Sequence, residues 1–86
     1  MDPYKILLRP KITEKTSRLI ELENKITFIT DRRANKPMIK KAFEEIYKEE
    51  VEKVNTLIDQ KGQKVAFIKL KKANAAADLA TKLGVI

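Results

Sequence analysis

This sequence predicts an α+β fold, an antiparallel sheet with helices packed on it, from three observations. Ile39, Ala42, Phe43, Ile46 and Tyr47 fall at i, i+3, i+4, i+7 and i+8, which puts five apolar side chains on one helical stripe. Ile26, Phe28 and Thr30 alternate with Thr27 and Ile29 in a β-branched and aromatic run that reads as a strand. Val51 to Asp59 and Lys64 to Lys71 are two strand-like runs joined by Gln60-Lys61-Gly62-Gln63, whose glycine can take the positive φ that a hairpin turn often needs.

The elements follow in chain order. Tyr4 to Arg9 reads as a short edge or terminal strand through Ile6, Leu7 and Leu8, closed by Pro10 because proline has no N–H to give a ladder. Thr13 offers an N-cap, Glu14 complements the helix dipole, and Thr16, Leu19 and Ile20 continue at helical spacing, so a helix is expected from about 14 to 23. Lys25 to Thr30 is the β-branched strand, and Asp31-Arg32-Arg33-Ala34-Asn35 turns the chain. Pro37 is acceptable only in the first turn of the helix that follows.

In the hairpin, alternation sends Val54, Thr56 and Ile58 to one face of the first strand and Ala66, Ile68 and Leu70 to one face of the second. Phe67, Lys69 and Lys71 share the opposite face. Asn74 is placed to cap a last helix carrying Ala76, Leu79, Ala80 and Leu83, with Gly84 at its C′ position and Val85 able to pack back. The order strand, helix, strand, helix, strand, strand, helix gives four strands. The 86 residues fit one small domain over 1–86, with no internal repeat, low-complexity stretch or linker.

Composition narrows the function. There is no Cys and no His, which removes disulfides, thiol nucleophiles, imidazole bases and the common zinc sites; no motif organises the remaining carboxylates, so neither catalysis, a cofactor nor a metal is expected. No apolar run approaches the roughly 20 residues that span a bilayer, and the start Met-Asp-Pro-Tyr-Lys lacks a signal-peptide core, so a soluble intracellular chain without membrane insertion is expected. A formal charge of +7 favours a polyanionic partner over a small-molecule substrate.

That charge is uneven. Residues 1–41 carry eleven bases and five acids, 42–60 two and six, and 61–86 six and one. The basic ends can fold onto one RNA-facing side, whereas Glu44, Glu45, Glu49, Glu50 and Glu52 are repelled by phosphate and should face elsewhere, as a solvated helix end or a protein-docking patch.

Three basic clusters stand out. Arg32, Arg33, Asn35 and Lys36, leading into Lys40 and Lys41, offer Arg forks and free helix N–H groups to phosphate; the plainer reading is a solvated loop. Lys61, Lys64, Lys69, Lys71 and Lys72 lie on the hairpin and its exit. Phe67 among them suits base stacking, although a core position beneath the last helix is the preferred reading. Arg9, Lys11, Lys15 and Arg18 form the third cluster, with Lys11, Lys15 and Arg18 spaced to share one side as a ridge of phosphate contacts. Glu14 is a single acid among them, read as a capping carboxylate.

Five blocks, Ile12-Thr13-Glu14-Lys15-Thr16-Ser17, Asn24-Lys25-Ile26-Thr27-Phe28-Ile29, Asp31-Arg32-Arg33-Ala34-Asn35-Lys36, Val51-Glu52-Lys53-Val54-Asn55-Thr56 and Lys64-Val65-Ala66-Phe67-Ile68-Lys69-Leu70, together resemble the ribosomal protein L-twenty-three family in order and throughout the chain. The resemblance implies a four-stranded antiparallel sheet with helices, plait-like. It also implies a place on large-subunit rRNA at the rim of the peptide exit tunnel, beside ribosomal protein L-twenty-nine, in the ribosomes of the cytoplasm. It further implies docking of factors that meet the emerging chain, such as the signal recognition particle, and puts Glu14 on the family's acidic factor-docking position.

Bacterial members carry a long hairpin loop; the short Gln60–Gln63 joint looks like the archaeal form, a rim platform with no arm into the tunnel. Lys64 is followed by Val65 where the family often has a second base, so one phosphate contact is missing. The rival reading is a free-standing RNA-recognition module for single-stranded RNA, prompted by Lys61-Gly62 and Ala66-Phe67-Ile68. A single aromatic residue on that strand weighs against it.

Overall fold

A computed structural model describes residues 2–84, so Val85 lies outside the described residues. The elements are α1 (Pro3–Ile6), β1 (Leu7–Pro10), α2 (Glu14–Glu23), β2 (Lys25–Thr30), α3 (Lys36–Tyr47), β3 (Val51–Ile58), β4 (Lys64–Leu70) and α4 (Ala75–Leu83). The four strands form one antiparallel sheet in the order β1-β2-β4-β3. The α+β architecture follows the expectation; the hairpin pairs as predicted, and β2 and β4 take the centre.

The first strand needs correction. Its first half is a helical turn: Asp2 Oδ1 accepts from the Tyr4 amide at 2.9 Å and Pro3 stands at the start with its φ already helical. β1 therefore begins at Leu7, and Pro10 closes it as expected, as its last residue. An edge strand tolerates this because one side of its ladder has no partner to lose. A register shift between Leu7 and Arg9 leaves Leu8 exposed.

Helices α1, α3 and α4 cover one face of the sheet. Ile26 and Phe28 of β2, Ala66, Ile68 and Leu70 of β4, and Val51 and Val54 of β3 meet Ile39, Ala42 and Phe43 of α3 and Ala76, Leu79 and Ala80 of α4. Phe43 stands at the centre, its ring centroid 6.0 Å from Phe28 in an edge-to-face pair and 4.9 Å from Tyr47. β3 outruns this layer: Val54 is buried, but Ile58, expected on the same face, is half exposed. β3 and β4 start where predicted and end at Ile58 and Leu70, each one residue earlier than expected.

Helix starts show which local signals acted. Thr13 caps α2 as expected, in a reciprocal box with Thr16. Asn35 caps α3 by accepting from the Met38 amide at 2.9 Å. Asn74, by contrast, is left-handed at φ 63° and makes no side-chain cap bond. The cap of α4 comes from Asn24, whose Oδ1 accepts from the Ala76 amide at 2.9 Å while its Nδ2 donates to the Leu70 and Lys72 carbonyls. One side chain thus ties the end of α2 to the end of β4 and the start of α4. Gly84 takes φ 75° at the end of α4, as its predicted position requires.

Candidate nucleic-acid interface

The sheet face opposite these helices carries rows set by the ladder register. Lys25, Lys69 and Lys53 lie abreast across β2, β4 and β3; Thr27, Phe67 and Asn55 form the next row, then Ile29, Val65 and Leu57, with Arg9 beside Ile29. The result is an apolar centre between basic ends. Phe67 was expected beneath the last helix, and the structure overturns this: Ala66 and Ile68 point to α4, so strand alternation turns Phe67 to the other side. It is half-buried there and lines a cleft with Leu57, Val65, Lys11, Lys15 and Thr16. Thr27 Oγ1 is buried on this face with no hydrogen-bond partner among the described residues.

At the hairpin end the three basic clusters meet. Asp59 organises the turn, its Oδ1 accepting from the Lys61 and Gln63 amides at 2.9 Å each, and its Oδ2 lies 3.3 Å from Lys11 Nζ. These bonds, the Gln63 amide first, hold its carboxyl below the ordinary value of 3.8 against the opposing effect of burial. Gln63 sits between two charges. Oriented to satisfy both, its side-chain oxygen accepts from Arg9 Nη2 at 2.7 Å and its nitrogen donates to Asp59 Oδ2 at 3.2 Å. Arg9 and Gln63 line two adjoining grooves, one continuing to Lys11 and Lys61, the other to Arg32 and Arg33.

The two arginines differ. Arg33 forks onto Asp31, Nε to Oδ1 and Nη2 to Oδ2 at 3.1 Å each, and that side-chain bond lowers the Asp31 pKa and raises that of Arg33. Arg32 is exposed and forms no ion pair among the described residues. Asn35 spends its side-chain oxygen on the α3 cap. Lys36, Lys40 and Lys41 are exposed on α3, in the helix layer and not on the open face. Lys64 is turned inward, donating from Nζ to the Ala34 carbonyl and holding the Asp31–Asn35 loop to β4.

The expected ridge of Lys11, Lys15 and Arg18 does not form as a helical stripe, because α2 starts at Glu14 and Lys11 precedes it. Lys11 and Lys15 nevertheless line one cleft, while Arg18 pairs with Glu14 at 2.6 Å, both well exposed. Glu14 is in the first turn, but Thr13 makes the cap. The acidic middle is not held apart from the bases: Glu50 pairs with Lys71 at 3.3 Å, Glu52 with Lys69 at 3.5 Å, and Glu44 Oε2 accepts from the Val51 amide at 2.9 Å. Glu45 and Glu49 remain as acids on that side without an ion pair among the described residues.

Sequence reasoning missed Lys25 and Lys53. Their spacing from Lys69 becomes a row only when the register of three strands is known, and no local pattern carries that. Among the described residues no group of His, Cys, Asp or Glu can hold a metal ion, and no helix is long and apolar enough to cross a membrane.

Residues 5–78 match the family described as Ribosomal protein L23. Over 99% of both chains, the sequence is 53% identical to the large ribosomal subunit protein uL23 of Methanobrevibacter smithii and 51% identical to that of Methanosphaera stadtmanae. It is 45% identical to that of Methanothermobacter thermautotrophicus over the same share. All three sources are methanogenic archaea.

Proposed function

This chain belongs to the ribosomal protein L23 family, in its archaeal form, and we propose that it binds large-subunit rRNA through the sheet face opposite α1, α3 and α4 and through its hairpin end. Family membership makes it a structural, non-enzymatic protein of the large ribosomal subunit, at work in the ribosomes of the cytoplasm. The observation that carries the RNA reading is the meeting of Arg9, Lys11, Lys15, Arg32 and Lys61 around two adjoining grooves and a cleft at one end of the sheet face opposite α1, α3 and α4. Arg and Lys in such a setting neutralise phosphates and release counterions. Arg33, Asn35, Lys36, Lys40, Lys64, Lys69 and Lys71 belong to the same proposed RNA-binding surface. Of these, Lys36 and Lys40 would reach RNA that wraps past the helix layer.

The same reading puts the protein at the rim of the peptide exit tunnel beside ribosomal protein L-twenty-nine, with Glu14 on the surface that meets the signal recognition particle or other exit-site factors. The exposed Glu14–Arg18 pair supports this, since Glu14 is not needed for the cap. Cosedimentation with large subunits and crosslinking to rRNA at the tunnel exit test the placement.

Binding itself is tested by charge. Arg32→Ala with Lys15→Ala should weaken binding to a large-subunit rRNA fragment about tenfold and flatten its salt dependence by roughly 0.7 to 0.9 for each phosphate no longer neutralised. Glu45→Ala with Glu49→Ala should leave binding unchanged or tighter. Equal losses in the two variants would overturn the charge map. A preference for short single strands over folded rRNA fragments would favour a free-standing RNA-recognition module instead.

A further inference from the structure

We infer that the cleft between the first turn of α2 and the open sheet face is a stacking site for one unpaired RNA base, with Phe67 as its platform. The inference rests on the RNA-binding reading above and adds what that reading does not contain, a position for a base where the rest of the face serves phosphate.

Four observations carry it. First, the cleft floor is apolar, made by Phe67, Val65 and Leu57, and Leu57 is 47% exposed although the helix layer lies on the far side of the sheet. Phosphate has no use for such a floor; the π-face of a base does, and stacking on an aromatic ring is worth about tenfold or more in affinity per base. Second, Phe67 is the only aromatic residue among the described residues of this face, which suits one base and not a run of stacked bases.

Third, the walls and ends are cationic. Lys11 and Lys15 stand over the floor, and Lys53 and Lys69 lie one row away. Asp59 and Glu52 pair with Lys11 and Lys69, which leaves Lys15 and Lys53 without an ion pair among the described residues and available to a phosphate. A nucleotide entering base first therefore keeps its phosphate among lysines. Fourth, the β3 neighbour of Phe67 in its row is Asn55, partly exposed, whose amide can hydrogen-bond the edge of a base; Thr27, on the β2 side, is buried and out of a base's reach. Paired RNA keeps its bases inside the helix, so the occupant is a looped, bulged or terminal nucleotide.

The test uses the full chain with three probes: an oligouridine strand carrying one fluorescent adenine analogue, an RNA duplex of equal charge, and heparin, a polyanion without bases. Phe67→Leu should weaken oligouridine binding about tenfold and abolish the quenching of the analogue, with duplex and heparin binding unchanged. Phe67→Tyr should retain both affinity and quenching. Because Phe67 lies off the core, thermal melting of both variants should stay near that of the parent, and the Tyr variant keeps the test open if Leu unsettles the sheet.

Equal loss on all three probes would make Phe67 a structural residue and overturn the inference. Full affinity of Phe67→Leu for every probe, with Arg32→Ala and Lys15→Ala still weakening RNA, would remove the stacking site and leave the RNA reading standing. Failure of the parent chain to bind any RNA at physiological salt would overturn both.

Discussion

Within β4, Ala66 and Ile68 are fully buried under α4, while Phe67 between them lines an open cleft and Lys69 stands in a row of three lysines. The two faces of one sheet thus obey different demands. On the covered face, side-chain volumes interlock and polar groups are few, as close packing requires. On the open face like charges lie directly across the ladder, an arrangement that costs stability, and a threonine hydroxyl is left without a partner among the described residues. Glu23 and Glu52 offset part of that repulsion by pairing with Lys25 and Lys69, while Lys53 has no ion pair among the described residues.

The largest expected effect lies on the covered side. Phe43→Ala removes a fully buried ring from the Phe28–Phe43–Tyr47 cluster and should cost about 3 to 5 kcal/mol in urea unfolding, with RNA affinity of the remaining folded protein unchanged. A loss below about 1 kcal/mol would mean that this face is not the tightly packed one.

Asn24→Ala should cost about 2 kcal/mol, since it removes the cap of α4, removes the side-chain donor shared by the Leu70 and Lys72 carbonyls and puts Ala in a left-handed position. Asn74→Gly, at the site where a cap is expected from sequence, should be neutral or slightly stabilising in the same unfolding measurement, because φ 63° suits glycine. Reversal of that ranking would return the cap to Asn74.

On the open side the effect is small and of opposite sign. Lys53→Glu breaks the lysine row and should raise stability by about 0.2 to 1 kcal/mol while weakening rRNA binding. Lower stability together with unchanged binding would show that the row is not a functional charge array.

Much of this is legible in the chain. The stripe through Ile39 and Tyr47, the β-branched run at Ile26 to Thr30 and the turn at Gly62 are local signals, read within a few residues of themselves. The first strand misleads because Asp2 and Pro3 make a helix start that an apolar run at Ile6 to Leu8 conceals. For the site, the three basic clusters are visible one by one, but their meeting point is not. Arg32 and Arg33 look equivalent in sequence, and only the fold shows that Asp31 occupies the second alone.

The amino-acid sequence by itself determined every element after the first, their polarity and the net basic charge, because periodicity, capping chemistry and composition act over short stretches or over the whole chain. Tertiary structure alone decided which face α1, α3 and α4 cover, which lysines stand abreast, and that Asn24 caps a helix by bonding an amide 52 residues away. Those outcomes depend on strand register and on which layer the helices choose, and both come from long-range packing that no segment encodes alone. Phe67 marks the boundary: alternation settles its face relative to Ala66, but only the docking of α4 on the other side settles that Phe67 lines a cleft beside the start of α2.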